Sequence, residues 1–372
     1  MYFALFLLFL LIVISFLFYG VDTIKAPLVK QHSNGVFLRV NRDEASLFCI
    51  FLVFFILLAF RDVSVGNDTL VYADLFDTII NGHLRDDTRY ETGYVLYNKV
   101  LGVFSSSYRL LFIVSAFVVV FNFSFFIKKF SNGIWLSALL FFLLSYFDIA
   151  ANLLRQAIAM SILLCAYDVL IRRKYILFIV YVFLAASFHL ISLIFIVAIV
   201  IPRIDLTKIN LLLFLLVLIG AYVSSDYLVN YMFNNIALYS SYENSEYALG
   251  GVKIASVLNS LIFAIVLIFS LSKYRNLKDD LVTRSAFWMV AIGEILLLIS
   301  LSFNQIGRAS KMFTVFSIIL IPNVLTFIKR KSAKLYFILC LFWLIFLSMQ
   351  YLLIVKYRAN WHGVYPFKFS FW

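Results

Sequence analysis

The chain has 372 residues, 64% of them hydrophobic and only 13% charged, and a mean hydropathy of +1.00; soluble domains carry charge on about a quarter of their residues. A soluble globular domain is thereby excluded. The net charge of +12 would suggest a nucleic-acid partner in a soluble protein, but here the placement of the basic residues carries the information, and it speaks of orientation in a membrane.

Runs of about 17 to 22 apolar residues recur along nearly the whole chain, each long enough to cross a hydrocarbon layer of about 30 Å. A β-barrel would alternate in polarity, so the runs are read as helices. The first, MYFALFLLFLLIVISFLFYG, has no basic residue ahead of it and no small-residue cleavage site, which predicts a retained helix. Basic clusters at Lys25 to Arg42, Lys128-Lys129, Arg172 to Lys174, Arg203 to Lys208, Lys273 to Arg284 and Lys329 to Lys334 predict cytoplasmic loops. Residues 61–108, 145–152, 225–251, 302–310 and the tail from Tyr357 then face outward, as do both termini. In the first outward loop, Asn67-Asp68-Thr69 before LVYADLFDTII reads as an amphipathic interfacial helix with Asp68 as N-cap. Glu91 precedes TGYVLYNKVLG, a second short interfacial helix, and reads either as a solvated charge or as part of a site.

Between Lys174 and Pro202 the chain reads YILFIVYVFLAASFHLISLIFIVAIVI, with cytoplasmic-type charge on both sides. One continuous helix would rise about 39 Å and deliver the second basic cluster to the wrong face. The expectation is a hairpin of two short helices over 175–201, each about 20 Å long, with its apex at Ala185-Ala186-Ser187-Phe188-His189 below the outer surface. The fold class is therefore all-α: a polytopic transmembrane helical bundle of about 12 helical segments with outward-facing interfacial helices. With four prolines and no internal repeat, residues 1–372 are expected to form a single integral membrane domain, with 61–108 and 225–251 as outward loops.

Several polar residues on this map need a reason. Arg155 starts a helix at its outer end and Arg308 lies beside another helix start. Each is either a snorkelling anchor or an anion site, where planar bidentate donors join the unpaired N–H groups of a first helical turn. His189 at the hairpin break is either a hydrogen-bonded packing residue or a donor or base lining a cavity. The four histidines show no paired metal-ligand spacing, and there is no phosphate-binding glycine loop, so no metal and no cofactor are expected. Cys49, Cys165 and Cys340 fall inside apolar runs and read as packing thiols. The Tyr-rich stretch around Tyr247 suits either stacking on sugar rings or an interfacial aromatic belt. Glu294, inside WMVAIGEILLLIS, is assigned no role.

Taken in order, these stretches resemble a known family. FRDVSVGNDTLVYADLF looks like its Arg, Val-Gly-x-Asp, Tyr and Phe pattern, YETGYVLYNKVLG like its Glu-x-Gly-aromatic element, NLLRQAIAMSI like its Arg-Gln helix start and ASFHLISLI like its Phe-His-x-Ser turn. GRASKMFTVFSIILIPNV and WHGVYPFKF are similar to its Arg-containing helix and its Tyr-Pro tail. The family is the EpsG-like polysaccharide polymerases, which includes many Wzy-type O-antigen and capsule repeat-unit polymerases; Thr69 departs from it where an aromatic residue commonly follows the Asp. The resemblance implies a metal-independent membrane glycosyltransferase of the bacterial inner membrane that moves a growing glycan from undecaprenyl diphosphate to the next lipid-linked repeat unit at the periplasmic face. It implies an undecaprenyl-diphosphate-linked oligosaccharide and membrane lipid as partners, a chain-length regulator as a further one, and no nucleic acid. Arg155 and Arg308 would then hold diphosphates, with Asp68, Glu91 or His189 as the base and His189 the first choice, or else a hydrogen-bond donor to the diphosphate. Arg61, Tyr72, Tyr94, Gln156, Tyr247 and Tyr365 would contact substrate. The rivals are an O-antigen ligase, a flippase for lipid-linked sugar, which should carry mid-membrane charges and two related halves, and, more weakly, a membrane acyltransferase.

Overall fold

A computed structural model describes residues 1–19, 42–84, 90–235, 254–303, 305–358 and 361–370. Regular structure among these residues is helical: seventeen α-helices and one 3₁₀ helix, with a lone antiparallel bridge between Arg61 and Phe369. In chain order the α-helices are α1 (Tyr2–Tyr19), α2 (Arg42–Ala59), α3 (Thr69–Ile80), α4 (Thr92–Phe104), α5 (Tyr108–Phe130), α6 (Ile134–Leu143), α7 (Tyr146–Asn152), α8 (Leu154–Ile171) and α9 (Tyr175–Ala186). The 3₁₀ helix Leu190–Arg203 follows, then α10 (Lys208–Val223), α11 (Ser225–Asn235), α12 (Ile254–Leu271), α13 (Tyr274–Asp279), α14 (Leu281–Ile299), α15 (Ile306–Thr314), α16 (Ser317–Lys329) and α17 (Ala333–Tyr357).

Among the described residues five stretches are long and apolar enough to cross a membrane: α5, α8, α14, α17 and Ile306–Lys329, which holds α15 and α16. Two pairs bent by 53° and 65°, α6 with α7 and α10 with the start of α11, bring the number to seven if each pair is one span. The chain is an all-helical, multi-pass membrane protein, as its sequence predicts. The count of about 12 segments is not confirmed, because hydropathy does not register where a helix breaks. Ser145, between α6 and α7, has φ of 62°, a left-handed conformation that ends regular winding inside an unbroken apolar run.

The chain packs as two compact units, one comprising Met1–Asp86, Asn98–Leu154 and Trp343–Trp372, the other Asp87–Tyr97 and Arg155–Phe342. In the first, α2 packs against α5, α1, α6 and α7, around a tilted and edge-on cluster of Phe51, Phe54, Phe123, Phe141 and Phe147. The tail is stitched back onto the loop after α2. Asp62 N–H donates to Lys368 O at 3.0 Å, Gly66 N–H to Gly363 O at 2.9 Å, Asn67 N–H to His362 O at 3.2 Å and Ser370 N–H to Phe60 O at 3.0 Å.

In the second unit α14 is the hub, packed on α15, α12, α10, α16 and the 3₁₀ helix. Asp280 caps it, accepting from Thr283 N–H at 2.8 Å. The hairpin expected over 175–201 is present, with its turn at Ser187-Phe188-His189 between α9 and the 3₁₀ helix. Its arms differ from the expected pair of about 20 Å helices: α9 rises about 18 Å, whereas fourteen 3₁₀ residues extend about 28 Å at 2.0 Å each. The sequence supports the tighter winding. Ser192, Phe195, Ala198 and Ile201 are the buried positions before Pro202, a strict period of three that lines up only when a turn holds three residues.

Gly66 has φ of +94°, and a Cβ there would lie 2.8 Å from Ala151 O and 2.6 Å from Thr69 Oγ1. Gly66→Ala is expected to destabilise the protein by about 1–3 kcal/mol, read as a lower Tm in detergent.

Candidate functional site

In the second unit four segments bring charge together: Tyr90 to Tyr94, the first turn of α8, the hairpin turn and α15. Arg155, second residue of α8, donates through Nη1 to Glu91 Oε2. Its guanidinium carbon lies 5.1 Å from the Tyr90 ring centroid and 5.8 Å from that of Tyr94, so two aromatic faces add cation–π attraction. Glu91 is not a solvated charge: its side chain is 16% exposed and that of Arg155 23%. The second carboxylate oxygen, Oε1, accepts Leu190 N–H at 3.0 Å and lies 3.8 Å from His189 Nδ1. One carboxylate thus joins the start of α8 to the first residue of the 3₁₀ helix, whose N–H has no partner within its own helix.

Close backbone approach makes this reach geometrically available. Tyr94 N–H donates to Ser187 O at 3.0 Å, and a side chain at Gly93 would overlap Ser187. The glycine in Glu-x-Gly-Tyr is therefore the position where the lead into α4 lies directly on the hairpin turn.

His189 occupies that turn, outside both helical arms. Its side chain is 11% exposed, and Nε2 is buried without a hydrogen-bond partner. Burial, then the positive charges of Arg155 and Arg308, push the imidazole down from 6.5 to about 3, so the ring is neutral throughout the physiological range. Gln156, the neighbour of Arg155, is buried and donates to Arg308 O at 3.4 Å, which ties α8 to α15. Glu91, Arg155, Gln156, His189, Arg308 and Tyr94 thus share one neighbourhood, although they span more than two hundred positions of sequence. Tyr90 joins them unforeseen; its only signal in the sequence is its place beside Glu91.

The remaining candidates lie in the first unit or outside the described residues. Arg61 is an interior residue of the first unit. It is 1% exposed, its Nη1 donates to Leu58 O and its guanidinium carbon lies 4.4 Å from the Phe112 ring centroid, so it closes the end of α2 by satisfying a terminal carbonyl. Asp68 precedes α3 but makes no side-chain cap bond; its backbone N–H is taken by Asn152 Oδ1 at 2.9 Å, and Asn152 Nδ2 lies 3.3 Å from His362 Nδ1. Tyr72 is buried on α3. Tyr365 is interior too, its hydroxyl 2.6 Å from that of Tyr351, which in turn donates to Asp148 Oδ1 at 3.1 Å, while Tyr365 Oη lies 3.4 Å from the same oxygen. Tyr247 lies outside the described residues. Glu294 accepts from Ser260. Among the described residues no three His, Cys, Asp or Glu side chains gather as a metal-binding group.

Fold and site together define a multi-pass helical membrane protein with two guanidinium groups around one imidazole. The chain belongs to the EpsG family, whose model matches residues 44–369, and membership supports a polysaccharide polymerase-like role, that of a glycosyltransferase-like enzyme. No curated protein and no solved structure matches the chain.

Removing Glu91 leaves Arg155 without its carboxylate in a largely buried setting. Glu91→Ala is expected to cost about 3 kcal/mol, and a thermal-unfolding cycle with Arg155→Ala should return a favourable coupling. Additive losses would refute the pairing.

Proposed function

We propose that the protein polymerises lipid-linked oligosaccharide repeat units, transferring the growing glycan from undecaprenyl diphosphate to the next repeat unit at the periplasmic face of a bacterial plasma membrane. The observation that carries this reading is the grouping of Arg155 and Arg308 around His189. Two cationic groups beside one neutral imidazole suit a reaction in which negative charge grows on a departing diphosphate while an acceptor hydroxyl gives up its proton. Arg155 and Arg308 hold diphosphates, one assisting departure and the other seating the acceptor carrier. They supply the positive charge that the leaving group demands, which is why we propose a metal-independent enzyme.

Of the three carboxylate and imidazole candidates, Asp68 lies in the first unit and Glu91 is already engaged by Arg155 and Leu190 N–H, which favours His189 as the base. An imidazole at about 3 is a weak base in the empty site. A bound diphosphate offsets the two guanidinium charges and raises it, so proton acceptance and substrate binding are coupled. Membrane lipid surrounds the carrier tails, and a separate chain-length regulator is the expected protein partner.

The test uses purified protein in nanodiscs with lipid-linked repeat units and a chelator, read as a product ladder. Wild type should give a ladder, and Arg155→Ala and His189→Ala should lose it by about 100-fold or more while remaining folded. Absence of a ladder from folded wild type would sink the polymerase reading, and transport of the lipid between leaflets would then establish the flippase. A pH series adds a second check, since kcat/KM reports ionisations of the free enzyme. Wild type should show no His189 step near 6.5; Arg308→Gln removes one repulsive charge, so the acid limb should move to higher pH.

A further inference from the structure

Glu91 has its two oxygens committed in different directions, and the second has a consequence for His189. Oε1 is held by the N–H of Leu190, the peptide immediately after His189, which fixes that oxygen beside the His189 ring. It faces Nδ1 at 3.8 Å. A carboxylate can only accept, so a proton on Nδ1 turns this approach into attraction, whereas a proton on Nε2 sets lone pair against lone pair. The far nitrogen points the same way. Nε2 is buried and has no partner: as N–H it would be an orphaned donor, but as a lone pair it is an acceptor awaiting a hydroxyl.

We propose that Glu91 is a positioning residue that holds His189 in the Nδ1–H tautomer, so that Nε2 is the nitrogen presented to the acceptor sugar hydroxyl, while its other oxygen fixes Arg155. This role rests on the polymerase reading above. In the transfer, the acceptor O–H proton passes to Nε2 as its oxygen bonds to the donor sugar's anomeric carbon, and the anomeric C–O bond breaks with its electron pair leaving on the diphosphate. The imidazolium so formed has Glu91 on its Nδ1 side. Glu91 touches neither reacting atom; it acts through His189 and Arg155, in the way a carboxylate orients an imidazole elsewhere.

The experiment is ¹⁵N spectroscopy of histidine-labelled full-length protein in nanodiscs, with the His189 signals identified by their absence in His189→Gln. Expected in wild type is a protonated Nδ1 and an unprotonated Nε2; a protonated Nε2 with bare Nδ1 would overturn the proposal. Glu91→Gln, whose amide can turn a donor toward Nδ1, should raise the Nε2–H share and lower kcat by about 10- to 100-fold with KM changed less than about threefold. Glu91→Asp should recover part of both. A tautomer that ignores Glu91→Gln would also overturn the proposal. The wild-type spectrum needs no turnover, so the Nδ1–H tautomer in a protein that makes no ladder would sink the polymerase reading and leave the Glu91–His189 relationship standing.

Discussion

A guanidinium placed among apolar helices must have its charge and donors satisfied, and for Arg155 in the second unit of this protein the need is met by Glu91, distant in sequence and adjacent in space. The pairing imposes the local architecture. For the carboxylate to reach both Arg155 and Leu190 N–H, the lead into α4 has to lie on the hairpin turn, so Gly93 must lack a side chain and Tyr94 N–H must meet Ser187 O. For Arg155 to stay in register, two tyrosine faces flank it. Charge burial, backbone contact and aromatic stacking are thus parts of one solution to an electrostatic cost.

The hairpin is the second element of that solution. A 3₁₀ helix of this length is unusual because its hydrogen bonds are poorer than those of an α-helix. Here the three-residue stripe from Ser192 to Ile201 turns the tighter winding into a packing advantage against α9, α15 and α14. The hairpin turn then delivers His189 to Glu91 and leaves Nε2 without a hydrogen-bond partner.

The first unit handles polar groups by a different rule. Arg61, Tyr365, Tyr351 and Asp148 are all interior, and each meets a partner that anchors a helix end or the tail. In the sequence Arg61 and Arg155 look alike, an arginine at the edge of an apolar run. What separates them is what each meets: Arg61 reaches a carbonyl of its own preceding helix, only three residues back, whereas Arg155 meets a carboxylate sixty-four residues away. Asp68 illustrates the same limit. It stands where an N-cap should, but its backbone is in the helical region and its side chain makes no cap bond, while its N–H is separately held by Asn152 Oδ1, an arrangement made by the loop's docking and invisible to a local motif.

The sequence by itself determined the all-helical membrane class, the short helices α3 and α4, the hairpin and the position of its break, because these follow from hydropathy and local turn residues, which act over a few positions. It also singled out Arg155, Glu91, His189 and Arg308, since polar residues are costly in apolar surroundings wherever they occur. Only the tertiary structure decided that Glu91 belongs to Arg155 and Leu190, that Arg61 and Tyr365 are interior, that Ser145 breaks one apolar run and that the second hairpin arm winds as 3₁₀. Those outcomes depend on which surfaces meet across long stretches of chain. A partner more than sixty residues away leaves no periodicity in the sequence for a local reading to detect.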